Sequence, residues 1–460
     1  MSTAPTDYTL PDILYQPWED VEALQDRLLK QMVEICYDHH PYYSRVMKEL
    51  GLTPADIQNR EDLKKLPVIG KKEFLAEPEN FRLDPDGLPM QEATLWKIIY
   101  TTGTTSGRPA PIFVTAHDYF AYQDLFRTRG SLLGINDTDM IANLFPMTNF
   151  PLGAFSRAPD EAAAMGASIM FGLTGRVDSP YPVNRSVDEA VEAVARHGAT
   201  VLWGVAGFVR RVLLRAIEMK SDFTKVRMVV TTGEASSPAM REDLRTRMRS
   251  LGCADTLIVN RYGSTEQGGT MIECQDGSGF HSSMPDQVFH EIVDDETGER
   301  LGDGEAGMLA ITHLNRRGTV FLRYKIGDMG ELDHSPCPHC GRTTVRLSSK
   351  PVRTGDIIKI KGALVNLGNL KSELDKVDGL EEYQIVVSSE DLSDPFSPDV
   401  LKVRISAREG SVAEMPDTVS GIVTKLSNLR PKIEEAKRDE IFDPTTMAKP
   451  KRIVDERKPR

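Results

Sequence analysis

Residues 101–111 read Thr-Thr-Gly-Thr-Thr-Ser-Gly-Arg-Pro-Ala-Pro, directly after the apolar run Trp96–Tyr100. Nothing in that composition builds a core. It supplies hydroxyls, free backbone N–H groups and permissive dihedrals, which is what a loop needs to wrap oxyanions. A Walker loop places four residues between its glycines and a Lys-Ser/Thr after the second. Here three residues separate Gly103 from Gly107 and Arg108-Pro109 follows, so the motor-ATPase and P-loop kinase readings weaken. A second stretch, "RYGSTEQGG" at 261–269, follows the apolar run "DTLIVN" and couples an aromatic, a glycine, a hydroxyl and a carboxylate within five positions. A third, "CPHC" at 337–340, is a two-residue-spaced cysteine pair ending in a Gly-Arg turn. That spacing suits tetrahedral zinc in a structural knuckle.

The rest of the composition bounds what these groups can serve. The chain has 460 residues, 40% of them hydrophobic and 27% charged, with a net charge of −12. That length predicts two or three domains. The acidic balance argues against nucleic acid or an anionic membrane as partner. No apolar run approaches the roughly 20 residues of a membrane span, and the N-terminus lacks the basic start and apolar core of a signal peptide; a cytoplasmic location is the expectation. Five cysteines, at 36, 253, 274, 337 and 340, are too few for a disulfide framework. Cys36 and Cys253 sit in apolar segments and read as core residues.

The elements that must position the chemistry follow a plain order. The first 80 residues form a helical lead-in: "DVEALQDRLLKQMVEICYDHH" carries Val21, Leu24, Leu28, Leu29, Met32 and Ile35 at helical spacing, with Asp20 as N-cap. From about 90 to 260, strands such as "ATVLWGV" and "VRMVVTT" alternate with helices such as "SVDEAVEAVARHG", which Ser186 starts and Gly198 stops. Alternation of that kind predicts parallel strands with crossover helices. Residues 285–350 read as hairpins with turns at "ETGE" and "GDGEAG". A smaller unit with a βαβ-like rhythm begins after "KPVRTGD", with Arg353–Gly355 as linker. The fold class is therefore α/β: a large domain over 1–352 with parallel and mixed sheets, flanking helices and a β-rich part, and a small mobile α+β domain over 353–460.

Taken together, "YTTGTTSGRPAP" and "RYGSTEQGG" resemble motifs of the acyl-CoA synthetase/adenylation-domain/luciferase superfamily of adenylate-forming enzymes, in its phenylacetate–CoA ligase branch. "TTGEASS" (231–237), "FLRYKIGD" (321–328), "VRTGDIIKIKG" (352–362) and "AKPKRIVDERK" (448–458) match in the same order. The resemblance implies ATP-dependent activation of a carboxylate as acyl-AMP with release of pyrophosphate, then transfer to coenzyme A. It implies that Thr102, Gly103, Thr104, Thr105, Ser106 and Gly107, with Arg108, hold the β- and γ-phosphates. Gly233, Glu234 and Ala235 would lie along the adenine and Tyr262 would stack on it. Arg261, Gly263 and Ser264 share the motif in which Thr265 meets the α-phosphate and Glu266 holds Mg²⁺. Asp328 would accept the ribose hydroxyls, and Arg353 would approach ribose and phosphate. Lys449, with Lys451 as its rival and Arg452 trailing, would bridge the carboxylate and the α-phosphate. The family's pivot pair aligns with Gly355-Asp356.

The resemblance also implies a zinc gathered from two pairs, Cys274 and His281 in "ECQDGSGFH" with Cys337 and Cys340; His290, His334 and His339 are competing histidines. Three thiolates and an imidazole leave no open position, so such a zinc is structural. Phe145, Phe150, Phe155, Trp203 and Phe208 make an aromatic-rich set that suits an aryl or arylacetic acid, and core packing is the other use for them. Arg210 and Arg211 fall on a helix face. Two other readings compete with the CoA ligase: transfer to a carrier-protein thiol or an amine, and a non-catalytic nucleotide- or zinc-binding scaffold. Relatives in this branch often pair as homodimers, a state no feature of this chain decides.

Overall fold

The computed structural model describes residues 9–101, 109–145, 147, 153–174, 185–233, 236–348, 351–353, 357–360, 363–390, 398–408, 413–427, 429–443 and 450–457. A helix spans Trp18–His39 and buries Val21, Leu24, Leu29, Met32, Val33 and Cys36. It starts a residue before Glu19, with Pro17 rather than Asp20 at the N-cap. Glu19 and Asp20 thus fall in the first turn, where the helix dipole favours them, and Trp18 lies against the His334 ring at 4.5 Å.

Two strands, β1 (Leu95–Tyr100) and β2 (Pro111–Thr115), pair antiparallel as a hairpin. At its loop end Thr101 N–H donates to the Ala110 carbonyl at 3.0 Å, and Ala110 N–H donates to Thr101 Oγ1 at 3.0 Å. Then come β3 (Met140–Asn143), β4 (Ser168–Phe171), β5 (Val201–Gly204), β6 (Met228–Thr231) and β7 (Leu257–Tyr262). They run parallel in the order β7-β6-β5-β3-β4, as the alternating pattern predicts. The crossover helix Val187–His197 opens on Ser186, whose side chain accepts from Glu189 N–H, and stops at Gly198 in the left-handed region.

The sheet continues antiparallel through β8 (Met271–Glu273) and β9 (Phe280–His281). A second sheet stacks β10 (Val288–Val293), β11 (Gly307–His313) and β12 (Tyr324–Gly330) antiparallel. Short strands β13 (Leu332–Asp333) and β14 (Arg346–Leu347) join β9 to complete nine strands of the large sheet, while β15 (Val352–Arg353) pairs with β12. Arg353, expected in a linker, therefore stands in a strand, and residues 354–356, with the pair Gly355-Asp356, lie outside the described residues. Beyond them, Ile357–Ile360 and Ala363–Asn366 form a hairpin, and strands Leu380–Ser389 and Asp399–Ala407 pair antiparallel. The inner strand Leu380–Ser389 takes Ile453–Asp455 in parallel on its other side.

Three main cores result. One joins the N-terminal helices to the β10–β12 sheet, a second fills both faces of the parallel sheet, and a third is drawn wholly from residues 358–453. Cys36 is fully buried in the first and Cys253 lies in the second. No helix among the described residues is long and apolar enough to cross a membrane.

Two histidines in this interior tie stability to pH. Burial pushes His40 down to about 4, while its Nε2 faces the Val320 carbonyl. Burial, with a smaller push from His334, holds His290 at about 3. Both stay neutral in the folded chain, whereas in the unfolded chain they take protons below about 6.5. Their stabilising contribution is full above that value and is lost as pH falls from about 6.5 toward 4, by roughly 2 kcal/mol each at pH 5. Urea midpoints measured from pH 7.5 down to 5 are expected to fall accordingly, and more gently in His290→Phe.

Candidate active site

The carboxyl ends of parallel strands are where open α/β sheets leave room for ligands. Here those ends carry Phe145 two residues past β3, Val205 past β5, Gly233 past β6 and Tyr262 closing β7. Gly233 has φ +87° and lies against Val205, a conformation that favours glycine.

After Tyr262 the chain makes the tight turn 263–270 before β8. A side chain at Gly263 would overlap the Gly269 carbonyl oxygen, and one at Gly268 would overlap Arg316 and Tyr122. Inside the turn, Gln267 N–H donates to Ser264 Oγ at 3.0 Å. The Glu266 carbonyl takes His313 Nε2 at 3.1 Å, and the residue is 7% exposed. Thr265 packs against Gly153, where an added Cβ would sit 3.3 Å from its hydroxyl. The turn thus fixes the backbone that carries Thr265 and Glu266.

A link between sheets completes this constellation. Tyr262 donates its hydroxyl to Asp328 Oδ2 at 2.7 Å, and Asp328 stands directly opposite Arg353 in the β12–β15 register. Tyr262 and Asp328 thus join β7 to β12 three residues before Thr265, with the Arg353 backbone paired beside Asp328.

Other expected residues are placed differently or not at all. Arg261 turns inward: its guanidinium meets Glu161 at 3.0 Å and Thr270 Oγ1 at 3.0 Å, and lies over the Trp203 ring. Glu161 also takes Arg129 at 3.2 Å. Phe145, Trp203 and Phe208 are 6%, 1% and 1% exposed and belong to the second core, with Phe155 packed at its margin. Arg210 pairs with Asp243 at 2.9 Å and Arg211 reaches Asp439 at 3.6 Å. Thr102, Gly103, Thr104, Thr105, Ser106, Gly107 and Arg108 lie outside the described residues, as do Glu234, Ala235, Phe150 and Lys449. Just past Lys449, Lys451 is exposed, and its carbonyl accepts from Gln384 Nε2 at 2.9 Å. Arg452 is bound by Glu382 and by the Tyr383 carbonyl.

A second cluster lies at the far end of the large sheet. Cys274, His281, Cys337 and Cys340 bring their ligand atoms within 4.8 Å of one another. Cys274 Sγ is 3.9 Å from Cys337 Sγ, and Cys340 Sγ is 3.8 Å from His281 Nε2. A tetrahedron with metal–sulfur bonds of about 2.3 Å has sulfur–sulfur edges of roughly 3.8 Å, so the spacing fits a four-coordinate ion. Burial, then Arg342, Arg346 and His339, lower His281 to about 3, which leaves a neutral imidazole. Burial opposes the Cys337 thiolate, but backbone N–H groups of Cys340 and His339 prevail and hold it below the usual thiol value. Of the competing histidines, His334 is bound to Asp303 Oδ1 at 2.5 Å, and neither it nor His290 or His339 belongs to the quartet. Two residues that the sequence reading missed are Glu161 and Arg129, whose pairing across 32 positions no local pattern reveals.

The AMP-binding enzyme family matches residues 45–316. The phenylacetate–coenzyme A ligase of Thermus thermophilus is 27% identical over 439 residues, covering 94% of this chain and 92% of its own. That of Escherichia coli K12 is 23% identical over 397 residues, covering 86% and 84%. Among solved structures, 2-hydroxyisobutyryl-CoA ligase with 2-HIB-AMP in its postadenylation state gives a TM-score of 0.80 at 20% identity, over 99% of this chain and 94% of that one. The fold is the same.

Removing the acid of the buried triad tests what holds the turn. Glu161→Gln leaves Arg129 and Arg261 without their shared charge, and an unpaired buried ion costs about 3–5 kcal/mol. Urea unfolding is expected to show a loss of that size; a loss under about 1 kcal/mol would mean the triad holds nothing.

Proposed function

Because this chain belongs to the AMP-binding enzyme family, we propose that it joins a carboxylic acid to coenzyme A through an acyl-adenylate. The observation that carries the reading is the bond from Tyr262 to Asp328 at the carboxyl edge of the parallel strands, with the Arg353 backbone paired beside Asp328 and with Thr265 and Glu266 in the turn that follows. The reacting carboxylate attacks the α-phosphorus of ATP, and pyrophosphate leaves. The thiol of coenzyme A then attacks the acyl carbon, and AMP leaves. Both steps build negative charge, which preorganised donors and cations stabilise.

Each residue has a physical reason for its part. Asp328 can accept two ribose hydroxyls at once, and its bond from Tyr262 sets the angle between that carboxylate and the ring that would face adenine. Thr265 offers a hydroxyl to the α-phosphate. Glu266 would hold Mg²⁺, a hard cation that takes oxygen ligands and neutralises phosphate charge. Thr102–Gly107 with Arg108 would enclose the outer phosphates, Gly233–Ala235 the base, and Lys449 would bridge carboxylate and phosphate. Relatives whose names specify phenylacetate favour an aryl or arylacetic acid.

At Cys274, His281, Cys337 and Cys340 the donor set and spacing favour a structural zinc. It would tie the β8–β9 hairpin to the segment after β13.

The decisive experiment is ATP–pyrophosphate exchange with a panel of carboxylic acids. An aromatic acid is expected to support exchange, and a thioester is expected only with coenzyme A. Asp328→Ala should lower kcat/KM for ATP by roughly 10- to 100-fold, the size of a lost charge-assisted hydrogen-bond pair. Exchange without a CoA-dependent product would send the acyl group to a carrier-protein thiol or an amine. Nucleotide binding with no exchange for any acid would leave a scaffold.

Elemental analysis is expected to find about one zinc per chain, lost in Cys337→Ser together with part of the thermal stability. Less than about half an equivalent in the unmutated protein would remove the zinc assignment.

A further inference from the structure

The helix Gly153–Met165 begins against Thr265 and carries Arg157 one turn in. Arg157 Nε and Nη2 are buried and have no hydrogen-bond partner among the described residues. The neighbouring acids are already engaged: Asp160 with Lys97, Glu161 with Arg129 and Arg261. Its guanidinium lies over the Tyr122 ring at 5.4 Å, and Arg316 lies over the same ring at 5.6 Å. Arg316 is 2% exposed and its Nε is likewise unpartnered. Its Nη1 is bound to the Tyr122 hydroxyl, where both crowd Gly268. The positive field reaches the Glu266 backbone: His313, bound to the Glu266 carbonyl, is driven well below its usual value by burial, then Arg316, with a smaller push from Arg157.

An unpaired guanidinium in a desolvated place is costly until an anion arrives. We infer that Arg157, backed by Arg316, binds oxyanions of the pyrophosphate end of ATP, on the Glu266 side of the turn. The inference rests on the proposed adenylation and adds a phosphate-binding residue that neither sequence motif contains. A fork of two N–H groups matches two phosphate oxygens.

The test separates phosphate from acid. In ATP–pyrophosphate exchange, Arg157→Gln is expected to raise KM for ATP and for pyrophosphate by roughly tenfold or more, the range for hydrogen bonds to a charged group, with KM for the acid unchanged. Arg157→Lys, which keeps the charge but not the fork, should fall between; it also replaces the glutamine variant should that one not accumulate folded. Unchanged KM for ATP and pyrophosphate overturns the inference. So does a rise confined to the acid, which would give the guanidinium to an anionic group on that substrate. Calorimetric binding of magnesium pyrophosphate to the same proteins decides the point independently of turnover. If the unmutated enzyme exchanges with no acid, the adenylation reading fails, while roughly tenfold weaker binding by Arg157→Gln still supports the phosphate role and equal binding still overturns it.

Discussion

The turn between β7 and β8 is the constraint on which the rest depends. Its backbone is so close to itself at Gly263 that no side chain fits, and so close to Arg316 and Tyr122 at Gly268 that none fits there either. Behind it, Glu161 draws two buried guanidinium groups to one carboxylate. One comes from the helix Ala116–Leu133 and the other from the end of β7, while Glu161 itself belongs to Gly153–Met165. Two helices and a strand are thereby clamped around one loop. Such pairing adds little net stability over a well-packed apolar core; its contribution is to leave one acceptable arrangement.

The helix that supplies Glu161 shows how the surroundings accommodate this. Pro159 lies inside it and has no N–H for the Phe155 carbonyl. Asn143, at the end of β3, donates its Nδ2 to that carbonyl at 3.3 Å. The first turns of the helix therefore remain helical and keep Gly153 against Thr265. A strand residue thus restores a bond that the helix sequence omits, and it does so at the rim where the ligand-facing loops emerge.

What the sequence reveals and what it hides divide by range. Ser186 and Gly198 bracket their helix as expected because a cap and a left-handed stop act within a few residues. The parallel order of β3, β5, β6 and β7 follows from alternation, since a crossover helix permits little else. Long-range partners are another matter. Arg261 stands inside a motif that the resemblance assigns to the nucleotide, yet its charge is claimed by Glu161, 100 positions earlier. The resemblance favours His281 over His290, His334 and His339, and the β8–β9 hairpin is what places it beside cysteines from a distant segment. Phe145, Trp203 and Phe208 are legible as aromatics with two uses, and only their burial in the second core decides between them, because apolar rings serve a pocket wall and an interior equally well.

The short strand Ile453–Asp455 has a further consequence. It covers one flank of Leu380–Ser389 by parallel pairing at Ile385, Val386 and Val387, so the last described strand is part of a ladder. A chain ending before it, through early termination or proteolysis, would present that inner strand as an uncapped edge rich in β-branched residues. Such edges recruit strands from other molecules. The penalty for losing a few terminal residues would then be self-association and poor recovery of soluble protein, even where the larger sheets fold normally.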